Sequence, residues 1–286
     1  MRDDYPRRAA DRSVANALDE DLAQGDVTSE AVVPAHVTGT ADLVTRVPMV
    51  CCGLDVFAEV FRQVDPRVRI DGPAGDGTRS AGGNETLLRV HGPLRSILTA
   101  ERVALNFVQR LSGIATRTAS FVDLLGDRTT RLVDTRKTTP GIRALERYAV
   151  RVGGARNHRY NLADGILIKD NHIAAAGGVT AAVQAALANA HHLLQIEVEV
   201  ESLADAHEAV AAGARVIMLD NFSLPDLRAA VSSLRARSER LVLEASGNVD
   251  EHTLIPIADC GVDVISSGGL IHQATFLDIA LEVRLA

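Results

Sequence analysis

From Arg131 to Gly269 the chain repeats one pattern: a short apolar run, a polar residue at its end, then a helical stretch. The runs are RLVDT, ILIKD, QIEVEVE, VIMLDN, LVLEASG and VDVISSGG. Lys169, Glu199, Asp220, Glu244 and Ser266 succeed one another at intervals of 30, 21, 24 and 22 residues. Such intervals suit one strand plus one crossover helix, and crossovers of this kind make neighbouring strands parallel. The expected fold class is therefore α/β. Six strands are fewer than the eight of a complete β/α barrel, and an open doubly wound sheet is the alternative.

Each run delivers a polar residue at or just beyond its C-terminal end: Lys137, Lys169, Glu199, Asp220, Glu244 with Ser246, and Ser266. Ligands of parallel α/β folds bind at that edge, where loops and helix N-termini converge. Lys137 and Lys169 are the only lysines in a chain with 30 Lys and Arg residues, so these two positions are expected to need a compact ammonium rather than a planar fork. Between Asp134 and His172, eight Lys or Arg stand against four Asp or Glu, although the formal net charge is -7. Arg136, Lys137, His158, Arg159 and Lys169, at strand ends and in Gly or Asn turns, make a candidate anion site. Arg143, Arg147 and Arg151, spaced four apart, read instead as a solvated helix face. Glu199 and Asp220 offer hard oxygen ligands of the type Mg²⁺ uses when it also binds substrate phosphates; the plainer reading is charge balance for the lysines. EASGNV and SSGGL place small residues after strands, where backbone N–H groups can cradle a phosphate. His191, His192 and His272 read as ordinary structural or surface positions.

The N-terminal part follows other rules. Residues 9–24 carry Val14, Leu18 and Leu22 at helical spacing, and Gly25 closes that helix. VTGTADLVTRVPMVCC, from Val37 to Cys52, alternates like a strand or a hairpin pair, and Gly53 opens the helix that follows. VRI and TLLRVHG read as antiparallel strands. The Gly-rich GPAGDGTRSAGGN between them follows no buried strand and opens no helix, so it is a hairpin loop and not a phosphate loop. Residues 94–125 form an apolar-striped helical run with an expected break at Ser112-Gly113.

Composition removes several function classes. Aromatics are 3% of residues with no Trp, which argues against base-stacking or sugar platforms. The negative net charge disfavours nucleic acid and anionic membranes as partners. Three cysteines, Cys51, Cys52 and Cys260, have no metal-ligand spacing and read as buried thiols in a reducing compartment. The N-terminus lacks an apolar signal-type core and no run approaches a membrane span, so the expected location is the cytoplasm.

The block DTRKTTPGIRALERYAVRVGGARNHRYNLADGILIKDNHI, with GDVTSE, EVEVES, MLDNF and EASGNV, resembles the quinolinate phosphoribosyltransferase family, also called nicotinate-nucleotide pyrophosphorylases (carboxylating), over nearly the whole chain. The resemblance implies an N-terminal α/β open-faced sandwich over residues 1–110, rejoined by a C-terminal tail near 271–286, and an incomplete parallel β/α barrel of six to seven strands over 111–270. It implies transfer of a phosphoribosyl group from 5-phosphoribosyl-1-pyrophosphate to quinolinate, yielding nicotinate mononucleotide, pyrophosphate and carbon dioxide in NAD biosynthesis. Arg136, His158 and Arg159 would then grip the two carboxylates, with Arg102 reaching in from a partner subunit of a homodimer or a hexamer. Lys137 and Lys169 would lie between the dicarboxylate and the pyrophosphate. Glu199 and Asp220 would hold ribose hydroxyls directly or through Mg²⁺. Ser246, Gly247, Asn248, Ser267, Gly268 and Gly269 would surround the 5-phosphate. The last strand departs from the family pattern, reading ISSGGLIHQA where a single Gly followed by a small residue, Leu and Thr-His is expected. Rival readings are a related pyrophosphorylase of molybdenum-transport type or an enzyme for another pyridine carboxylate, a Schiff-base aldolase using Lys137 or Lys169, and a non-catalytic nucleotide-binding protein. A monocarboxylate enzyme should lack one of the four cationic contacts. An aldolase lysine needs a desolvated setting, whereas both lysines here have charged neighbours in sequence.

Overall fold

The computed structural model describes residues 5–238 and 240–285. They divide into two units. The first takes in the chain up to Ser120, Thr138–Gly154 and the residues from Leu270 on; the second takes in Phe121–Lys137 and Ala155–Gly269.

In the first unit, α1 (Arg7–Asp21) buries Ala10, Val14 and Leu18 at helical spacing, and α2 (Val27–Val32) starts where the Asp26 carboxylate accepts the Ser29 amide at 3.0 Å. The strands are β1 (Thr38–Thr45), β2 (Met49–Val50), β3 (Arg69–Asp71), β4 (Arg79–Ser80) and β5 (Glu85–Pro93). β1 runs antiparallel to β5 on one side and to the C-terminal strand Ile279–Leu285 on the other, and β3 pairs antiparallel with β5. β1 and β2 do not form the hairpin that alternation from Val37 to Cys52 allowed; β2 pairs with β4 in a separate ribbon. α3 (Leu54–Val64) buries Leu54, Val56, Phe57, Val60 and Phe61 and starts at Gly53, whose φ of 91° suits glycine. The Asp76 carboxylate caps it by accepting the Leu54 amide at 2.9 Å and also takes the Tyr148 hydroxyl at 2.9 Å.

The helix α4 (Leu94–Leu125) is continuous, so the expected break at Ser112-Gly113 does not occur. Both residues have packing roles instead. The Ser112 hydroxyl accepts the Cys52 amide and donates to the Cys52 carbonyl, each at 3.0 Å. Gly113 is the point where the C-terminal segment crosses, and a Cβ there would run into the Thr275 carbonyl oxygen. α5 (Arg143–Val152) overturns a second expectation. Its arginines do not form a solvated face: Arg147 is buried, and the half-buried Arg151 lies over the Tyr148 ring at 5.7 Å. Glu146 on this helix is fully buried and receives Arg110 through Nε and Nη2 at 3.0 and 2.8 Å, together with the Thr139 amide at 2.7 Å. Arg110 uses its remaining donors on the Ala274 and Ile271 carbonyls. Five hydrogen bonds thus tie α4, the 138–142 loop, α5 and the C-terminal segment together. No helix among the described residues is long and apolar enough to cross a membrane.

The second unit holds the repeated runs as β6 (Arg131–Val133), β7 (Ile166–Ile168), β8 (Ile196–Val200), β9 (Val216–Asp220), β10 (Val242–Ser246) and β11 (Val264–Ser266). All neighbours are parallel, in the order β6-β11-β10-β9-β8-β7. Arg156 adds one further parallel bridge beside Val133 on the outer edge of β6. Among the described residues the sheet's two edges are not joined in a ladder, and the fold is an incomplete β/α barrel. The three cysteines are buried free thiols.

Two expected outcomes follow from the first unit. Gly113→Ala should destabilise the protein by about 1–3 kcal/mol, since the obstacle is backbone and not a flexible side chain; an unchanged urea midpoint would show that the Thr275 crossing is slack. Glu146→Ala leaves Arg110 without its carboxylate and should cost about 3–5 kcal/mol in the same measurement. A loss below about 1 kcal/mol, the scale of an exposed pair, would contradict the anchoring role.

Candidate active site

Register brings the strand ends of the second unit level. Asp220 pairs with Ser246, Ser246 with Ser266, and Ser266 with Val133, while Glu199 and Glu244 both pair with Met218. Side chains two residues apart on a strand share a face, so Glu197 and Glu199 on β8 point the same way, as do Glu244 and Ser246 on β10. Glu199, Asp220 and Ser246 are half-buried at the C-terminal rim, while Glu197 and Glu244 are buried.

At the rim, Lys169 follows β7 directly and its ammonium forms an ion pair with the Glu199 carboxylate. Lys137, beyond β6, is exposed, with its amide held by the Thr135 hydroxyl at 3.1 Å. Asp220 accepts the Asn221 side-chain amide at 2.8 Å. Asn221 (φ 55°), Gly247 (φ 97°) and Asn248 (φ 48°) have left-handed backbones, and these two turns interlock. The Asn221 amide donates to the Ser246 carbonyl at 3.0 Å, and a Cβ at Gly247 would collide with the Asn221 side chain. Ser267 is buried with its amide committed to the Val133 carbonyl at 3.0 Å, and Gly269 begins a short helix, Gly269–His272.

The cationic part is built on Asp134, a fully buried carboxylate one residue past β6. It accepts the His158 amide at 2.8 Å and the Asn157 side-chain amide at 2.6 Å, which fastens the Arg156–Arg159 segment to β6. Arg159 donates to the Gly165 carbonyl at 2.9 Å. Burial, and then the positive charge of Arg136, lower the Arg159 pKa. Arg136 has its Nε buried with no acceptor. Two guanidiniums held near one another, one with an unpaired buried donor, make a surface that an anion would relieve.

Beneath this lies a cluster that strand-end reasoning missed. His158 Nε2 sits 3.1 Å from a Glu197 oxygen and 3.6 Å from a Glu244 oxygen. Its Nδ1 accepts the Arg159 amide at 2.8 Å, so the ring proton belongs on Nε2, facing the carboxylates. Burial, and then the adjacent Glu197 carboxylate, push Glu244 up to about 7, with His158 opposing. Glu244, at the end of LVLEASG, thus faces His158 and Glu197. Alternation could have found the cluster, since Glu197 lies two before Glu199 and Glu244 two before Ser246 in otherwise apolar strands.

For a divalent cation, two groupings have the right chemistry. His158, Glu197 and Glu244 are the one trio of metal-ligating types among the described residues whose ligand atoms lie within 4.8 Å of one another. Its imidazole is committed on both nitrogens. Glu199 and Asp220 are carboxylates of adjacent strands at the accessible rim, which suits an ion that keeps waters and binds mainly to substrate phosphates. Arg102, exposed on α4, belongs to the first unit, and every other residue expected at the site belongs to the second.

The arrangement has known relatives. The chain matches the quinolinate phosphoribosyl transferase N-terminal domain over residues 26–112 and the C-terminal domain over residues 114–282. It is 42% identical to the nicotinate-nucleotide pyrophosphorylase [carboxylating] of Mycobacterium leprae, covering 96% of this chain and 97% of that one. It is also 42% identical to the probable enzyme of that name from Bacillus subtilis, over 93% and 91% of the two chains. Among solved structures, NadC from Streptococcus pyogenes superposes with a TM-score of 0.90 at 44% identity over 96% of both chains. The nicotinate-nucleotide pyrophosphorylase of Francisella tularensis does so at 0.90 and 41% identity over 98% and 97%. With both domains matched end to end around a rim of this composition, the chain belongs to the quinolinate phosphoribosyl transferase family.

Proposed function

We propose that this protein joins the ring nitrogen of quinolinate to the ribose of 5-phosphoribosyl-1-pyrophosphate, releasing pyrophosphate and carbon dioxide and forming nicotinate mononucleotide for NAD biosynthesis. The observation that carries this reading is the Arg136–Arg159 pair beside His158, with a buried guanidinium donor lacking an acceptor. Quinolinate brings two adjacent carboxylates, and planar forks match carboxylates bidentately.

The remaining residues take roles that follow from their chemistry. As the bond from the ribose to pyrophosphate breaks, positive charge develops on the sugar and negative charge on the departing group. Lys137 and Lys169 meet the leaving polyanion, while the Glu199 and Asp220 carboxylates face the ribose hydroxyls and favour the electron-poor ring. Glu199 and Asp220 would hold Mg²⁺, which would supply further positive charge against the leaving group. In the ion pair with Glu199, Lys169 is a point charge and lacks the desolvated setting of a Schiff-base lysine. Gly247 and Asn248 with Ser246, and Gly268 and Gly269 with Ser267, surround the 5-phosphate. Once the nitrogen is ribosylated the ring is cationic, which stabilises the electron pair left on C2 as carbon dioxide departs, and a proton from solvent then fills that position. Arg102 completes dicarboxylate binding from the partner subunit of a homodimer, and the enzyme works in the cytoplasm.

Incubation with quinolinate, phosphoribosyl pyrophosphate and Mg²⁺ should produce nicotinate mononucleotide and carbon dioxide in equal amounts. Lys137→Ala and Glu199→Ala should each lower kcat by about 10²–10³ with an unchanged circular dichroism spectrum; wild-type turnover in either would sink the role assignment. Mixing inactive Arg102→Ala and Lys137→Ala subunits should restore part of the activity. Absence of rescue despite demonstrated subunit exchange would argue against a shared site.

A further inference from the structure

Two buried carboxylates directly under a site for a dianion are electrostatically unwelcome unless they serve the cations above them. Glu197 and Glu244 lie on β8 and β10, buried, and each approaches the same nitrogen of His158, at 3.1 and 3.6 Å. One oxygen of each carboxylate lacks a hydrogen-bond partner. The opposite edge of the imidazole receives the Arg159 amide at 2.8 Å. The ring is thus a wedge, held at one end by Glu197 on β8, with the Glu244 carboxylate on β10 in ion-pair range of the same nitrogen, and at the other by the backbone of Arg159. Asp134 secures the same segment from β6 through the His158 amide and the Asn157 side chain. The Arg159 side chain departs from the residue whose amide the ring holds, so where the imidazole sits decides where that guanidinium begins.

We propose that Glu197 and Glu244 are positioning residues for dicarboxylate binding, acting through the His158 imidazole on Arg159. This deepens the reading of the site as a quinolinate site and rests on it. Quinolinate binding depends on the brace, whereas binding of the phosphoribosyl donor, whose contacts are the two lysines, Glu199, Asp220 and the turns after β10 and β11, does not. The same trio does not act as a metal site, because Nδ1 accepts an amide hydrogen and the Nε2 lone pair is taken up by the ring proton aimed at the carboxylates. Removing a buried polar group that faces the imidazole alters an interaction large enough to change an affinity by about tenfold or more.

The test compares Glu244→Leu with Glu244→Gln, each checked for folding by thermal melting, and reads steady-state kinetics and the ¹⁵N spectrum of labelled histidine. Glu244→Leu should raise the KM for quinolinate by about tenfold with little change in the KM for phosphoribosyl pyrophosphate. Glu244→Gln, which keeps the size and a polar oxygen facing Nε2, should recover most of that loss. The wild-type His158 signals should report a protonated Nε2 and an unprotonated Nδ1, and the Leu variant should shift them. An unchanged KM and an unchanged His158 spectrum in Glu244→Leu would overturn the proposal, as would an equal rise in both KM values. Stoichiometric zinc or another divalent ion in the purified protein, lost in both variants, would also overturn it. A wild-type protein that folds but does not turn over quinolinate would remove the reaction assigned above; the His158 spectrum would then judge the brace alone.

Discussion

Like charges held together against their own repulsion are the constraint on which the catalytic unit depends. Arg136 and Arg159 are close enough for one to depress the pKa of the other, and Lys137 and Lys169 lie on the same rim. Such a grouping does not assemble on an ordinary surface, where long side chains would splay into water. Here it is enforced from below and from the side. Asp134 pins the backbone of the Arg159 segment, Glu197 and Glu244 hold the imidazole that packs against it, and Glu199 steadies Lys169. Carboxylates buried in the barrel are thus the counterweight that lets cations gather around an anionic substrate.

The parallel barrel suits this division because a strand's two-residue period sorts side chains by depth as well as by face. Glu199 is half-buried at the rim and Glu197, two residues earlier, is buried; Ser246 is half-buried and Glu244, two residues earlier, is buried. A single strand therefore supplies one residue to the chemistry and another to its support. The turns above are fixed just as tightly. Asn221 and Asn248 accept left-handed backbones, Gly247 makes room for the Asn221 side chain, and the two loops take one arrangement.

Much of this was legible from residue order. The six strands, their parallel sense, the long helix after Pro93 and the rim residues all follow from apolar runs spaced for crossover helices. Local readings failed where a distant segment decided the outcome. Gly113 looks like a helix break, yet helix 94–125 runs through it and glycine is there for the passage of Thr275. Arg143, Arg147 and Arg151 have the spacing of a solvated stripe, but the C-terminal segment and α4 belong to the same unit as α5, and Arg147 is buried. Met49–Val50 follows β1 closely enough to suggest a hairpin, yet its partner lies in the Gly-rich loop. Glu197 and Glu244 were visible as acids in apolar strands, but nothing local says that both converge on His158.

The central claim is that the rim is built for two carboxylates, and the most direct measurement is the comparison of a dicarboxylate with a monocarboxylate of the same ring. Titration calorimetry with quinolinate and with nicotinate at one ionic strength isolates the second carboxylate. Quinolinate should bind at least about tenfold more tightly, the scale of one charge-assisted pair, and Arg136→Ala should remove most of the difference. Equal affinity for the two acids, or a preference that survives Arg136→Ala, would contradict it.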